Sequence, residues 1–169
     1  MLIFLMRHGV AVDRDDPDYP DDASRPLTRH GVKRTARIAR GLRRMDVSID
    51  RLVTSPLYRC RQTADVVAKE FGFPTSSIIE TLHLAPGGSP LAFVQELFVD
   101  PAPTAVMAVG HQPDLSELIS LLIAGDPHAI DIPLKKGAVA LVECDNPPSV
   151  ERGTLHFLLQ PSMLRRLGK

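Results

Sequence analysis

Tryptophan is absent from this 169-residue chain, and tyrosine and cysteine occur only twice each. Cys60 and Cys144 lie far apart, with no CxxC or Cys/His ligand spacing. That argues against a disulfide framework and structural zinc, and it predicts a reducing, cytoplasmic setting. No apolar run approaches the ~18 residues a membrane helix needs, and the N-terminus enters an apolar run without a basic n-region or cleavage site. A soluble protein without a membrane partner is expected. A surplus of charge is missing too, since 20 Lys and Arg balance 20 Asp and Glu. No global field favours nucleic acid, so any anion must be held by local clustering. Repeats, linkers and low-complexity tracts are also lacking, and the length suits one domain over residues 1–169.

What the chain does contain is a series of apolar runs that end at chemically active residues. Leu2 to Met6 reads as a strand buried on both faces, and it stops at Arg7-His8-Gly9, where the glycine is expected to let the backbone turn away. An acidic loop follows with Asp13, Asp15, Asp16, Asp18, Asp21 and Asp22. It lacks the glycine and terminal glutamate of an EF-hand loop, so it reads as a solvated loop with no metal. Arg25-Pro26-Leu27-Thr28 leads into a helix, with Thr28 as N-cap and Val32, Ala36, Ala39 and Leu42 as the apolar stripe. Lys33, Arg37, Arg40 and Arg44 form its basic side, a pattern that could dock an acidic partner but is more often a solvated face.

Leu52 to Thr54 reads as a second strand, and Ser55-Pro56 as N-cap and first position of a helix to about Phe71, buried through Cys60, Ala64, Val67 and Phe71. Ser77 to Leu82 predicts a third strand, Pro86 to Ser89 a turn, and Leu91, Val94, Leu97 and Phe98 an amphipathic helix. Thr104 to Val109 is a further strand ending in Gly110-His111-Gln112-Pro113, and Leu115, Leu118, Ile119 and Leu122 continue as a helix opened by Pro113. Ala138 to Glu143 and Thr154 to Leu159 read as an edge hairpin across the loop Asp145-Asn146-Pro147-Pro148, with a terminal helix from Pro161 to Leu167. The alternation predicts an α/β protein, a three-layer α/β/α sandwich with a mostly parallel sheet and an antiparallel edge.

In such a sheet the carboxyl ends of the strands bring Arg7, His8, Arg59 and His111 to one crevice. Two arginines and two histidines with no obvious carboxylate companion make a pocket for a dianion, and phosphate is the natural occupant. Arg59, in a first helical turn, has its charge unfavourably placed against the helix dipole, which a bound anion would offset. Arg25 is either structural or a rim contact to substrate.

Arg7-His8-Gly9, Arg25-Pro26-Leu27-Thr28 with Gly31, Ser55-Pro56 with Arg59 and Gln62-Thr63, and Gly110-His111-Gln112-Pro113 together resemble the histidine phosphatase (phosphoglycerate mutase-like) superfamily. Within it, the short chain is most similar to the SixA type of phosphohistidine phosphatase. The resemblance implies that superfamily's fold, with His8 as the phosphorylated nucleophile, Arg7, Arg59 and His111 holding the phosphoryl group, no metal, no cofactor, and a phosphohistidine-bearing protein as partner. Larger members carry a carboxylate acid after the third strand, where this chain has His83. Asp13 or Asp114 could substitute, and the acid is left unassigned. A phosphatase of small metabolites or other phosphomonoesters, and a non-catalytic phosphoprotein-binding module, are the alternative functions.

Overall fold

The computed structural model describes residues 1–97, 101–145 and 148–169. Leu2–Arg7 (β1), Arg51–Thr54 (β2), Ile79–Glu80 (β3), Ala105–Gly110 (β4), Val139–Glu143 (β5) and Thr154–Leu159 (β6) form a six-stranded sheet in the order β3-β2-β4-β1-β5-β6. The first four strands run parallel to one another, while β5 is antiparallel to both β1 and β6. Among the described residues five α-helices cover it: Arg29–Arg43 (α1), Tyr58–Phe71 (α2), Pro90–Glu96 (α3), Asp114–Ala124 (α4) and Pro161–Leu167 (α5). The expected three-layer α/β/α architecture with an antiparallel edge is the one observed.

Strand alternation divides the core between two layers. Ile3 and Leu5 of β1 pack with Phe93, Leu115, Leu118 and Leu122 of α3 and α4. Phe4 and Met6 face the other way, against Ile38, Leu42, Ala64 and Leu164 of α1, α2 and α5. A strand covered on both sides has no polar face to keep, which is why Leu2–Met6 reads as an unbroken apolar run. Each fully buried side chain of this size stabilises the fold by about 1.5–3 kcal/mol.

The register of the sheet builds the site. Arg7 pairs with Gly110 across β1 and β4, and Thr54 pairs with Val109 across β2 and β4. His8 and His111 therefore leave adjacent parallel strands at the same level, with Ser55, just past the end of β2, beside them.

Several local expectations give way to tertiary contacts. Thr28 does cap α1, its Oγ1 accepting from the Gly31 amide at 2.8 Å. The buried stripe of α1, however, is Gly31, Thr35, Ile38, Ala39 and Leu42, while Val32 is exposed. Helix α2 starts at Tyr58 after an N-cap at Leu57, so Ser55 and Pro56 precede it. Pro113 is the N-cap of α4 rather than its first helical residue. The third strand shrinks to two residues between short 3-10 turns at Thr75–Ser77 and Leu82–Leu84. In α3, Phe93 and Val94 are buried, as is Leu97 at its C-cap, and Leu91 is exposed, while Phe98 and residues 146–147 of the hairpin loop fall outside the described residues. Gly9 does not use a left-handed turn. Its backbone passes so close to the Thr35 hydroxyl and the Leu27 side chain that a Cβ would collide with them.

The basic side of α1 is not simply solvated. Arg40 donates to Glu70 at 2.7 Å and to the Gly168 carbonyl at 3.3 Å, and Arg44 donates to the Leu167 and Lys169 carbonyls. Two of its four cations thus fasten α1 to α2 and to the end of the chain.

Candidate active site

His8 and His111 face each other at the carboxyl end of the sheet with ring centroids 5.2 Å apart, and both are buried. With Arg7, Asp22, Arg25 and Arg59 they line a cavity of about 290 Å³. All five residues singled out from the sequence thus border one space. None of the three candidate acids does. Asp13 is exposed on the acidic loop, the Asp114 carboxylate accepts from the Gly87 amide at 2.7 Å, and His83 lies 3.4 Å from Glu96.

The backbone sets the tautomer of His8. Its Nδ1 lies 2.8 Å from the Gly9 carbonyl, which can only accept, so Nδ1 carries the proton and Nε2 keeps its lone pair. Burial pushes its pKa down to about 3 against the upward pull of the Gly9 carbonyl, and His111, Arg59 and Arg7 add smaller downward pushes. His8 is therefore a neutral imidazole at ordinary pH. The Gly9 amide donates to Thr63 Oγ1 at 3.0 Å, and that hydroxyl donates to the Arg59 carbonyl at 2.7 Å. The turn after β1 is thereby tied to the first turns of α2, while Gln62 holds the Leu27 amide at 2.7 Å.

His111 is held in the complementary way. Arg59 Nη2, always a donor, lies 3.3 Å from Nδ1, so Nδ1 accepts and Nε2–H donates to Ser55 Oγ at 2.9 Å. Cys60 Sγ sits 3.4 Å from the same Nε2 and 3.6 Å from the Gly110 carbonyl, where it donates. The serine expected to cap a helix is instead a fully buried partner of the second histidine. Burial and the neighbouring Arg59 charge push His111 down to about 4, although Asp22 pulls the other way. Burial pushes the Cys60 thiol up to about 12, which leaves it inert.

The carboxylate companion that is not obvious in the sequence is Asp22. Its Oδ2 accepts from Arg59 Nη2 at 3.0 Å, and its Oδ1 accepts from Arg25 Nε and Nη2 at 2.9 and 2.6 Å. Burial opposes ionisation, but hydrogen bonds from Arg25 and the Arg59 charge outweigh it and hold this carboxyl below its usual range. The acidic loop is therefore partly built into the site, and the spacing Asp22-x-x-Arg25 was its one local sign. Arg25 Nη1 donates to the Val12 carbonyl at 2.7 Å, so each of its three nitrogens bonds protein.

Arg7 Nη1 is fixed on the Leu134 carbonyl at 2.7 Å, and burial lowers the guanidinium pKa. Arg7 Nε and Arg59 Nε are buried without a protein partner among the described residues. Such donors suit a bound oxyanion. No three His, Cys, Asp or Glu side chains among the described residues converge as a metal site.

The family model of the histidine phosphatase superfamily (branch 1) matches residues 3–83. The chain is 39% identical over 127 residues to an uncharacterised protein of Picosynechococcus sp., covering 74% of each. It is 28% identical over 167 residues to the phosphohistidine phosphatase SixA of Escherichia coli, covering 98% of this chain and 97% of that one. The solved structure of the protein histidine phosphatase SixA complexed with tungstate superposes with a TM-score of 0.84 at 28% identity, over 97% of this chain and 99% of that one.

Proposed function

The chain belongs to the histidine phosphatase superfamily, and from that premise we propose that it removes phosphate from phosphohistidine on a protein through a covalent phospho-His8 intermediate. His8 Nε2 attacks phosphorus in line as the bond from phosphorus to the substrate imidazole breaks. Arg7 and Arg59 fork onto the equatorial oxygens, where their fixed charge stabilises the transferring group. His111 loses its Arg59 contact to the anion and, protonated at Nδ1 beside a dianion, donates a third bond. Water then attacks phospho-His8, phosphate leaves, and Nε2 recovers its lone pair.

The observation that carries the choice of substrate is the state of Asp22. It is the carboxylate bordering the cavity, and it is held ionised between two arginines. An ionised carboxylate cannot protonate a leaving serine alkoxide. A phosphohistidine ring protonated on its other nitrogen departs as neutral imidazole, whose conjugate acid has a pKa of ~6.5, and needs no such donor. The two buried free cysteines fit a reducing compartment, and we place the activity in the cytoplasm.

The test is kcat/KM for a phosphohistidine protein against a phosphoserine peptide in one buffer. A preference for phosphohistidine is expected. Equal values or a phosphoserine preference would refute the substrate reading and leave the His8 chemistry standing.

A further inference from the structure

Segments 29–44 and 161–169, which contain α1 and α5, hold ten of the chain's 20 basic residues and none of its 20 acidic ones. Arg40, Arg43 and Arg44 are used internally, on Glu70 and on the last carbonyls of the chain. Among the described residues Arg29, Lys33, Arg34, Arg37, Arg165 and Arg166 have no ion pair, and Arg165 Nη1 is buried with no partner at all. A solvated helix normally intersperses acids so that its i,i+4 pairs attract. Here Arg29 with Lys33, and Lys33 with Arg37, stand at the repelling spacing. Burial, and then the charges of Arg34 and Arg37, hold the Arg165 guanidinium below its ordinary pKa. The fold carries this repulsion without any internal return.

The basic face begins at the pocket. The Thr28 amide at the start of α1 donates to the Val10 carbonyl, two residues past His8. Lys136 borders the cavity itself. Gly137 donates to the Arg7 and His8 carbonyls, and its backbone lies against Ile38 of α1 and Pro161 at the start of α5.

We infer, resting on the phosphohistidine-protein reading above, that the α1/α5 face is a docking surface for an acidic protein segment flanking the phosphorylated histidine. Eight of its ten cations are arginine, whose planar fork matches carboxylates two oxygens at a time. A nucleic acid fits less well. The chain has no net charge, and a duplex crossing this face toward the mouth would meet the aspartates of loop 13–22, one of which lines the pocket.

The test uses three substrates. Two are phosphohistidine peptides of equal length, one with Glu-rich and one with Gln-rich flanks of about ten residues. Such a flank reaches about 33 Å when extended, enough to run along the 15-residue α1 at about 1.5 Å per residue. The third is phosphoramidate, which has no flank. The wild type should favour the Glu-rich peptide by about tenfold at low salt, and the preference should fade at high salt. The triple variant Arg34→Gln, Arg37→Gln, Arg166→Gln should turn over both peptides equally and phosphoramidate at the wild-type rate. Equal turnover of the two peptides by the wild type, or a preference that survives the triple substitution, overturns the inference.

If neither peptide is a substrate while a phosphate ester is, the function proposed above fails by itself. The surface is then read by fluorescence anisotropy with the unphosphorylated Glu-rich peptide. Binding that the triple variant loses supports the docking face, and absence of binding overturns it. Tighter binding of a DNA duplex than of that peptide also overturns it, in favour of nucleic acid.

Discussion

Lowering the pH from 8 to 5 should weaken this fold through His8 and His111. Both titrate near the ordinary histidine value of about 6.5 when unfolded and are pushed down to about 3 and about 4 in the folded chain, chiefly by burial. Between those values and 6.5 the unfolded chain binds more protons than the folded one, so stability is fully present above 6.5 and is lost as the pH falls. At pH 5 an unfolded histidine is almost wholly protonated and these two are almost wholly neutral. The linkage relation then assigns each a loss of about 2 kcal/mol, and the pair about 4 kcal/mol. Urea denaturation at pH 8 and pH 5 measures it, and comparing the pH dependence of each variant with its own value at pH 8 cancels the cost of substitution. His8→Asn should abolish about 2 kcal/mol of the pH-dependent loss, near 1 M urea at an m-value of about 2 kcal/mol/M, and the double variant with His111→Asn about twice that. If His8→Asn loses as much stability as the wild type over this range, His8 is not held neutral by its surroundings.

His8→Ala should abolish turnover while leaving the protein folded, and wild type quenched during turnover should carry acid-labile, base-stable label on that residue; label on serine or aspartate would contradict the mechanism. Arg59→Lys should lower kcat/KM by about 10²–10³ despite keeping the charge, because an ammonium cannot replace the fork that spans phosphate oxygens and Asp22; a loss of less than about fivefold in steady-state kinetics would count against it. Turnover should survive EDTA, since the guanidinium groups supply the charge that a cation would otherwise bring; activity lost on chelation and restored by Mg²⁺ or Zn²⁺ would count against that role.

The layers of the fold and the pole where the pocket sits were legible because they depend on local patterns. Leu2 to Met6 and Thr104 to Val109 are too uniformly apolar for anything but strands covered on both faces, and each ends in a histidine that such a sheet must deliver to its carboxyl edge. Thr28 reads as a cap because the bond it makes is only three residues long. The chain could not announce its long-range pairings in the same way. Asp22 looks like one of six solvated aspartates until Arg59, 37 residues away, is folded against it. Ser55 next to Pro56 has the local signature of a helix start, yet the imidazole of His111, 56 positions further on, claims its hydroxyl and the helix begins later. Arg40 and Arg44 share a basic face with Lys33 and Arg37, and only the packing of α2 and of the C-terminus separates the anchored cations from those left facing outward. Periodicity and capping act within a few residues and are written locally, whereas a buried polar group must satisfy its hydrogen bonds with whatever the tertiary fold brings within about 3 Å.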